Sequence, residues 1–288
     1  MKSAYAIDYN FNCKRSPVRI QPDQLQVPLY QIDAFTSHLF RGNPAAVCPL
    51  EQWISDELMQ AIATENNLAE TAFYVKRPDG DFDLRWFTPA FEVDLCGHAT
   101  LASAYVLFNY YQTNSTQINF HTRSGQLSVT RLNDLMAMDF PVLPLTPCEV
   151  PIELAHCGLN ILACYRNSDY CVIVETEQEL MNYQADLLAL GALETRGICF
   201  TAQAKHSELD FVSRFFAPRA GINEDPVTGS AHCYLTPYWA EQLGKQHLHV
   251  RQISKRGGDI ECELVQERVI LKGHAKCYLT GTINLPAK

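Results

Sequence analysis

Residues 92–105 read EVDLCGHATLASAY and residues 223–236 read NEDPVTGSAHCYLT. Each stretch puts a glycine, Gly97 or Gly229, at the head of a run of small and apolar residues. A thiol and an imidazole, Cys96 and His98, flank the first glycine. A carboxylate and two hydroxyls, Asp225, Thr228 and Ser230, surround the second. A further carboxylate, Glu70, lies in NNLAETAFYV, between an apolar helix-like segment and a buried-looking strand. Carboxylates and imidazoles take up and return protons near neutral pH. Glycine lets a backbone approach a ligand closely. Free N–H groups at a helix start, helped by the dipole, favour a carboxylate or a developing enolate.

Each residue also has an ordinary structural role. Cys96 can pack, Gly97 and Gly229 can turn the chain, and His98 or Ser230 can cap a helix. Glu70 can be a surface residue at a strand start, and Asp225 before Pro226 is a common turn former. For the matched pair of glycines the site reading is the stronger one.

The elements that must position these residues are written twice. Patterning predicts strands over 29–35, 71–75 and 82–87, with a turn at Pro78-Asp79-Gly80. A helix is expected from Ser55 as N-cap to residue 66, and another over about 98–110. Strands follow around 118–132 and at 136–141. Arg85-Trp86-Phe87-Thr88-Pro89-Ala90 returns as Arg214-Phe215-Phe216-Ala217-Pro218-Arg219, at an offset of 129. Gly97-His98-Ala99 returns as Gly229-Ser230-Ala231, at an offset of 132. The second copy therefore has three extra residues between its proline and its glycine, and these are read as including Glu224 and Asp225. Glu70 is matched by about Gly197, Cys96 by Thr228 and His98 by Ser230. The fold class is α+β: two pseudo-symmetric halves with a ligand cleft between them. The expected division is an extension over 1–27, a first half over 28–141 and a second over 142–288, whose last strand can return to the first. Pro237 is expected to kink or break the second helix after Leu235.

Bulk properties narrow the function. The chain has 288 residues, 47% hydrophobic and 19% charged, which is ordinary for a globular protein with a substantial core. A net charge of −9 argues against nucleic acid, whose binders replace counterions with basic residues, and against an anionic membrane surface. No stretch reads as a signal peptide or membrane span. The 11 cysteines include no C-x-x-C pair, which reads as reduced thiols in a cytoplasmic protein. Cys157, Cys164 and Cys171 have no matching histidine cluster. The pair His247 and His249 reads as one face of a strand, and no metal site is expected.

QIDAFTSHLFRGNPAAV, NNLAETAF, FTPAFEVDLCGHATLASA and FFAPRAGINEDPVTGSAHCYLTPYWAEQLGK resemble the phenazine-biosynthesis PhzF-like family, as does the tail QISKRGGDIECEL with LKGHAKCYLTGTI. The resemblance runs from about residue 28 to the end. It implies the diaminopimelate epimerase-like fold, in which each half is a sheet or barrel around a central helix. It implies an isomerase that works without metal or organic cofactor, on a small carboxylate substrate, as a homodimer. Carried over by motif, the catalytic groups are Glu70, His98, Asp225 and Ser230. Backbone contacts to the substrate carboxylate come from the Gly97 and Gly229 regions, with Cys96 and Thr228 beside them. Epimerases of this fold use two facing cysteines. Asp225–Thr228 stands where the second would be, so a two-thiol racemase is disfavoured. An epimerase using Glu70 with another partner, and a non-catalytic binding protein, are the alternatives.

Overall fold

Residues 97–110 are small or apolar on every side, which is the composition of a helix with no solvent face. The computed structural model, which describes residues 25–111, 115–205 and 208–285, buries this helix. Strands β1 (Leu25–Ala34) and β2 (Asn43–Leu50) pair antiparallel. After α1 (Asp56–Asn66), β3 (Glu70–Lys76) adds parallel to β2, and β4 (Phe82–Phe87) and β5 (Glu92–Val93) follow. The central helix α2 (Gly97–Tyr110) leads into the meander β6 (Gln117–Thr122), β7 (Gly125–Leu132) and β8 (Leu135–Pro141). Helix α2 packs against β1, β2, β3, β7 and β8. Its buried hydroxyls bond within the helix, Thr100 to Cys96 O (2.6 Å) and Ser103 to Ala99 O (2.8 Å), so neither hydroxyl is left unpaired.

The second copy begins with β9 (Thr146–Pro147), α3 (Ile152–Ala155), β10 (Ile161–Arg166), β11 (Tyr170–Val174), α4 (Glu177–Asn182) and α5 (Leu187–Ala192). It continues through β12 (Ile198–Gln203), β13 (Phe211–Ala217), β14 (Ile222–Asp225) and α6 (Gly229–Leu243). Strands β15 (His247–Gln252), β16 (Gly258–Val265), β17 (Arg268–Gly273) and β18 (Ala275–Leu285) complete it. Helix α6 packs on β15, β16 and β17. Trp239 stacks on Phe211 of β13 (5.6 Å) and donates to Thr201 of β12 (3.0 Å). Among the described residues, 18 strands form one hydrogen-bonded sheet. It crosses between copies where β17 pairs with β8, and β18 returns to pair with β1.

Register confirms the duplication. Thr71 opposes Phe87 across β3 and β4, and Ile198 opposes Phe216 across β12 and β13. Arg85 is clamped by Glu92 (2.7 Å) over the Phe87 ring, and Arg214 by Glu224 (2.6 Å) over the Phe216 ring. This corrects the placement of the extra residues. Glu224 is the counterpart of Glu92. Asp225, which opposes Phe215, is the counterpart of Val93, which opposes Trp86. The insertion therefore lies before Glu224, around the short 3-10 turn Pro218–Ala220.

Two further expectations change. Helix α6 does not break at Pro237 but runs on to Leu243. The carbonyl that Pro237 cannot serve, that of Cys233, accepts instead from the N–H of Leu143 (3.1 Å). Strand β1 starts at Leu25, which pairs with Leu285, so three residues assigned to the extension are in the sheet; residues 1–24 lie outside the described residues. Ser55 does cap α1, accepting from the N–H of Leu58, and His247 and His249 do occupy the exposed face of β15.

Candidate active site

The two central helices start at the same place. A Cβ built on Gly97 would lie 3.9 Å from the Cα of Gly229, and one on Gly229 would lie 3.9 Å from the Cα of Gly97. The N-cap residues are Cys96 and Thr228, and neither side chain bonds to its helix. His98 and Ser230 are not caps: each is the second residue of its helix. Two helix starts without side-chain caps thus face one space, with their positive dipole ends converging.

That space is a cavity of about 410 Å³, and all the residues singled out from sequence line it: Glu70, Cys96, Gly97, His98, Asp225, Thr228, Gly229 and Ser230. Glu70 is the first residue of β3, and its Oε2 lies 3.1 Å from His98 Nε2. The two atoms are off the line a hydrogen bond needs, both are buried, and among the described residues neither has another partner. On the other edge of the ring, His98 Nδ1 lies 3.5 Å from Cys96 Sγ. Burial works against a charged His98 ring, but the flanking Cys96 and Glu70 side chains outweigh it and hold its pKa well above the ordinary value. Burial also pushes the Cys96 thiol up.

Asp225 is held from three sides. Its Oδ1 accepts from Asn43 Nδ2 (2.7 Å), its Oδ2 from the Thr228 hydroxyl (2.5 Å), and its carbonyl from Gln252 Nε2 (2.6 Å). Burial raises its pKa to about 6; the nearby His98 charge and the Thr228 and Asn43 bonds limit the rise. Gln252 is fully buried and also accepts from the Thr228 N–H (2.8 Å), which clamps the Asp225–Thr228 loop to β15. Asn43 spans the two copies: its second amide hydrogen goes to Val227 O (2.9 Å). The contact of Asn43 Nδ2 with His98 Nδ1, 3.3 Å, is then proximity, since both amide hydrogens are already engaged. The neighbouring turn needs Gly42, with φ +66° and no room for a Cβ beside Ala34 O.

Asn43, Gln252 and Arg196 were missed by sequence reasoning. Asn43 sits in the quoted RGNP segment and reads there as a turn residue. Gln252 gives no local signal, because its partner loop is 24 residues away. Arg196 precedes Gly197 and donates to Ser230 Oγ (3.1 Å).

The asymmetry between the copies has a packing cause. A Cβ on Gly197, the counterpart of Glu70, would fall 2.2 Å from Phe215 Cζ. The second copy therefore has no room for a carboxylate where the first has its candidate base.

Glu70, Cys96 and His98 bring an oxygen, a sulfur and a nitrogen within 4.8 Å of one another. Zinc would need a Cys96 thiolate and one histidine nitrogen facing both other donors. His98 turns Nδ1 to Cys96 and Nε2 to Glu70, so no single ring nitrogen faces both other donors. The trio fits proton exchange better than metal binding. Among the described residues, no helix is long and apolar enough to cross a membrane.

Comparison with known proteins agrees with this geometry. Residues 32–281 match the family model described as phenazine biosynthesis-like protein. An uncharacterized isomerase of Pseudomonas aeruginosa is 49% identical over 91% of this chain and 100% of its own length. The crystal structure of a PhzF-family phenazine biosynthesis protein from Enterococcus faecalis superposes with a TM-score of 0.87 and 43% identity, over 91% of this chain and 100% of that one. A hydroxyproline epimerase from Agrobacterium vitis, 9% identical, shares the fold with a TM-score of 0.61, over 90% of this chain and 93% of that one. With a diaminopimelate epimerase-like fold and relatives named as isomerases at this level of identity, the chain belongs to the PhzC–PhzF phenazine biosynthesis-like family.

Proposed function

We propose that the protein is an isomerase that moves a proton along a small unsaturated carboxylic acid, within the cavity between its two central helices. The observation that carries this reading is the meeting of Glu70 Oε2 and His98 Nε2: buried, 3.1 Å apart, without another partner among the described residues, and beside two uncapped helix starts. The helix starts hold the substrate carboxylate. Glu70 takes a proton from one carbon, the double bond shifts, and the proton returns to a carbon further along the same conjugated system. No atom is gained or lost. His98 carries positive charge toward the enolate that forms in between, and Asp225 and Ser230 orient the substrate and share its protons. These side chains supply both proton acceptor and donor, so the reaction calls on no metal or organic cofactor. A cytoplasmic homodimer is the assembly proposed, and light scattering on the purified chain tests it.

The test is incubation in deuterated water with small unsaturated and amino acids, followed by mass spectrometry. Carbon-bound deuterium that depends on Glu70 supports the reading. A shifted double bond identifies the isomerase, whereas loss of chirality at one carbon identifies an epimerase. Absence of label across a broad panel moves the weight to a non-catalytic binding protein. A two-thiol epimerase is disfavoured, because the helix start opposite Cys96 carries Thr228.

A further inference from the structure

We propose that Arg196 binds the substrate carboxylate, receiving it together with Ser230 and the start of α6. This inference rests on the proton-transfer reading and adds which end of the cavity holds the acid. Arg196 lines the cavity, and 45% of its side chain remains accessible although the carboxylate it is anchored to, Asp169, is completely buried. The anchor is a fork: Arg196 Nε donates to Asp169 Oδ1 (2.8 Å) and Nη2 to Oδ2. The Tyr234 hydroxyl donates to the same Oδ2 (3.2 Å), and the Phe215 ring lies beneath the guanidinium (5.6 Å). The cation is thus fixed before any ligand arrives, which lowers the ordering cost of binding.

The hydrogen bookkeeping leaves donors free. Nε–H and one Nη2–H go to Asp169, and one Nη1–H goes to Ser230 Oγ. One hydrogen on each terminal nitrogen has no partner among the described residues, and a planar fork of this kind matches a carboxylate. Because Ser230 Oγ accepts from Arg196, its own hydrogen is free to turn into the cavity as a donor. Arg196 follows Ala69 in the duplication as Ser230 follows His98. The first copy thus presents a carboxylate and an imidazole, suited to moving a proton. The second presents a guanidinium and a hydroxyl, suited to holding an anion. One cleft separates the two tasks by copy.

The test uses benzoate and benzamide, matched in shape and differing in charge, against the full chain by calorimetry or ligand-observed NMR. The wild type is expected to prefer benzoate. Arg196→Gln should weaken benzoate by roughly 10- to 100-fold while leaving benzamide unchanged. Arg196→Lys should keep part of the preference. Since Arg196→Gln leaves Asp169 buried and unpaired, the double variant R196Q/D169N removes both charges and should show the same loss in a folded protein. Arg251→Gln, on an exposed strand position, controls for total charge and should change nothing. Wild-type affinity for benzoate in R196Q/D169N, an equal loss of benzoate and benzamide, or a wild type without preference each overturns the proposal. Deuterium exchange is read separately, so failure of proton transfer and failure of this anion site remain distinct outcomes.

Discussion

Gly97 and Gly229 meet head to head, each placed so that a Cβ would sit 3.9 Å from the other's Cα. Both are first residues of central helices, one from each copy. An added methyl on Gly97 would make ordinary contact with Phe140 (3.8 Å) and clash with nothing. Gly97→Ala should therefore fold at least as well as the wild type, with up to about 1 kcal/mol gained from helix preference. It should also narrow the space in which the substrate carboxylate sits and lower turnover by roughly 10²-fold. Thermal unfolding read beside deuterium exchange checks this. A lowered melting temperature, or unchanged exchange, contradicts the assignment of the helix starts to the site.

Gly197→Ala should behave in the opposite way. Its Cβ would fall 2.2 Å from Phe215 Cζ and 2.6 Å from Cε1, within a ring that is 3% exposed. Overpacking of this kind costs about 1–3 kcal/mol. Because the Phe215 ring supports Arg196, the loss of stability should be accompanied by weaker benzoate binding. A variant as stable as the wild type would show that Phe215 moves aside freely.

Glu70→Gln keeps shape and removes the base. Its position at the head of β3 leaves the strand pairing intact, so unfolding should change little. Exchange of substrate carbon protons should fall by roughly 10²–10⁴-fold. Substantial residual exchange removes Glu70 from the mechanism and leaves His98 or Asp225 as the base to examine.

Asn43→Ala should couple stability to activity. Removing the amide strips Asp225 Oδ1 of one partner and Val227 O of another, both next to the cavity. Buried acceptors left unpaired cost about 1–3 kcal/mol each. Asn43→Asp should be worse, since it points a carboxylate oxygen at Asp225 Oδ1. Equal stability of Asn43→Asp and wild type at neutral pH would mean that Asn43 does not hold the loop.

Asn43 also marks the limit of what the sequence discloses. The duplication and the two glycine helix starts were legible in local patterns of apolar period, turn and polar residue, whereas Glu70, His98, Asp225 and Ser230 were singled out as a set by the family resemblance. Partners joined only by folding were not: Asn43 with Asp225, Gln252 with Thr228, and Arg196 with Asp169 are 182, 24 and 27 residues apart. The misplacement of Glu224 and Asp225 in the insertion has the same origin. Only strand register shows that Glu224 repeats Glu92. Pro237 misled because the substitute donor for Cys233 O comes from Leu143, in another part of the chain.

Asp225→Asn should trade activity for stability in a pH-dependent way. Asp225 is held at about 6, against 3.8 for a free aspartate. The folded chain therefore binds this proton more tightly than the unfolded chain. Its contribution to stability is fully present below the unfolded value and is lost as pH rises through about 6. The span corresponds to roughly 3 kcal/mol at most. Asparagine has no such dependence, so the variant should gain on the wild type as pH rises and lose that gain in acid. His232 works in the opposite sense, since burial lowers its pKa from 6.5 to about 4 and its contribution disappears as pH falls through that value. It is present in both proteins and cancels in the difference. Urea unfolding of the pair at several pH values from acid to mildly alkaline measures that difference directly. A constant offset across the range would mean that Asp225 titrates as an ordinary aspartate, and its place in the proton-sharing set would go with it.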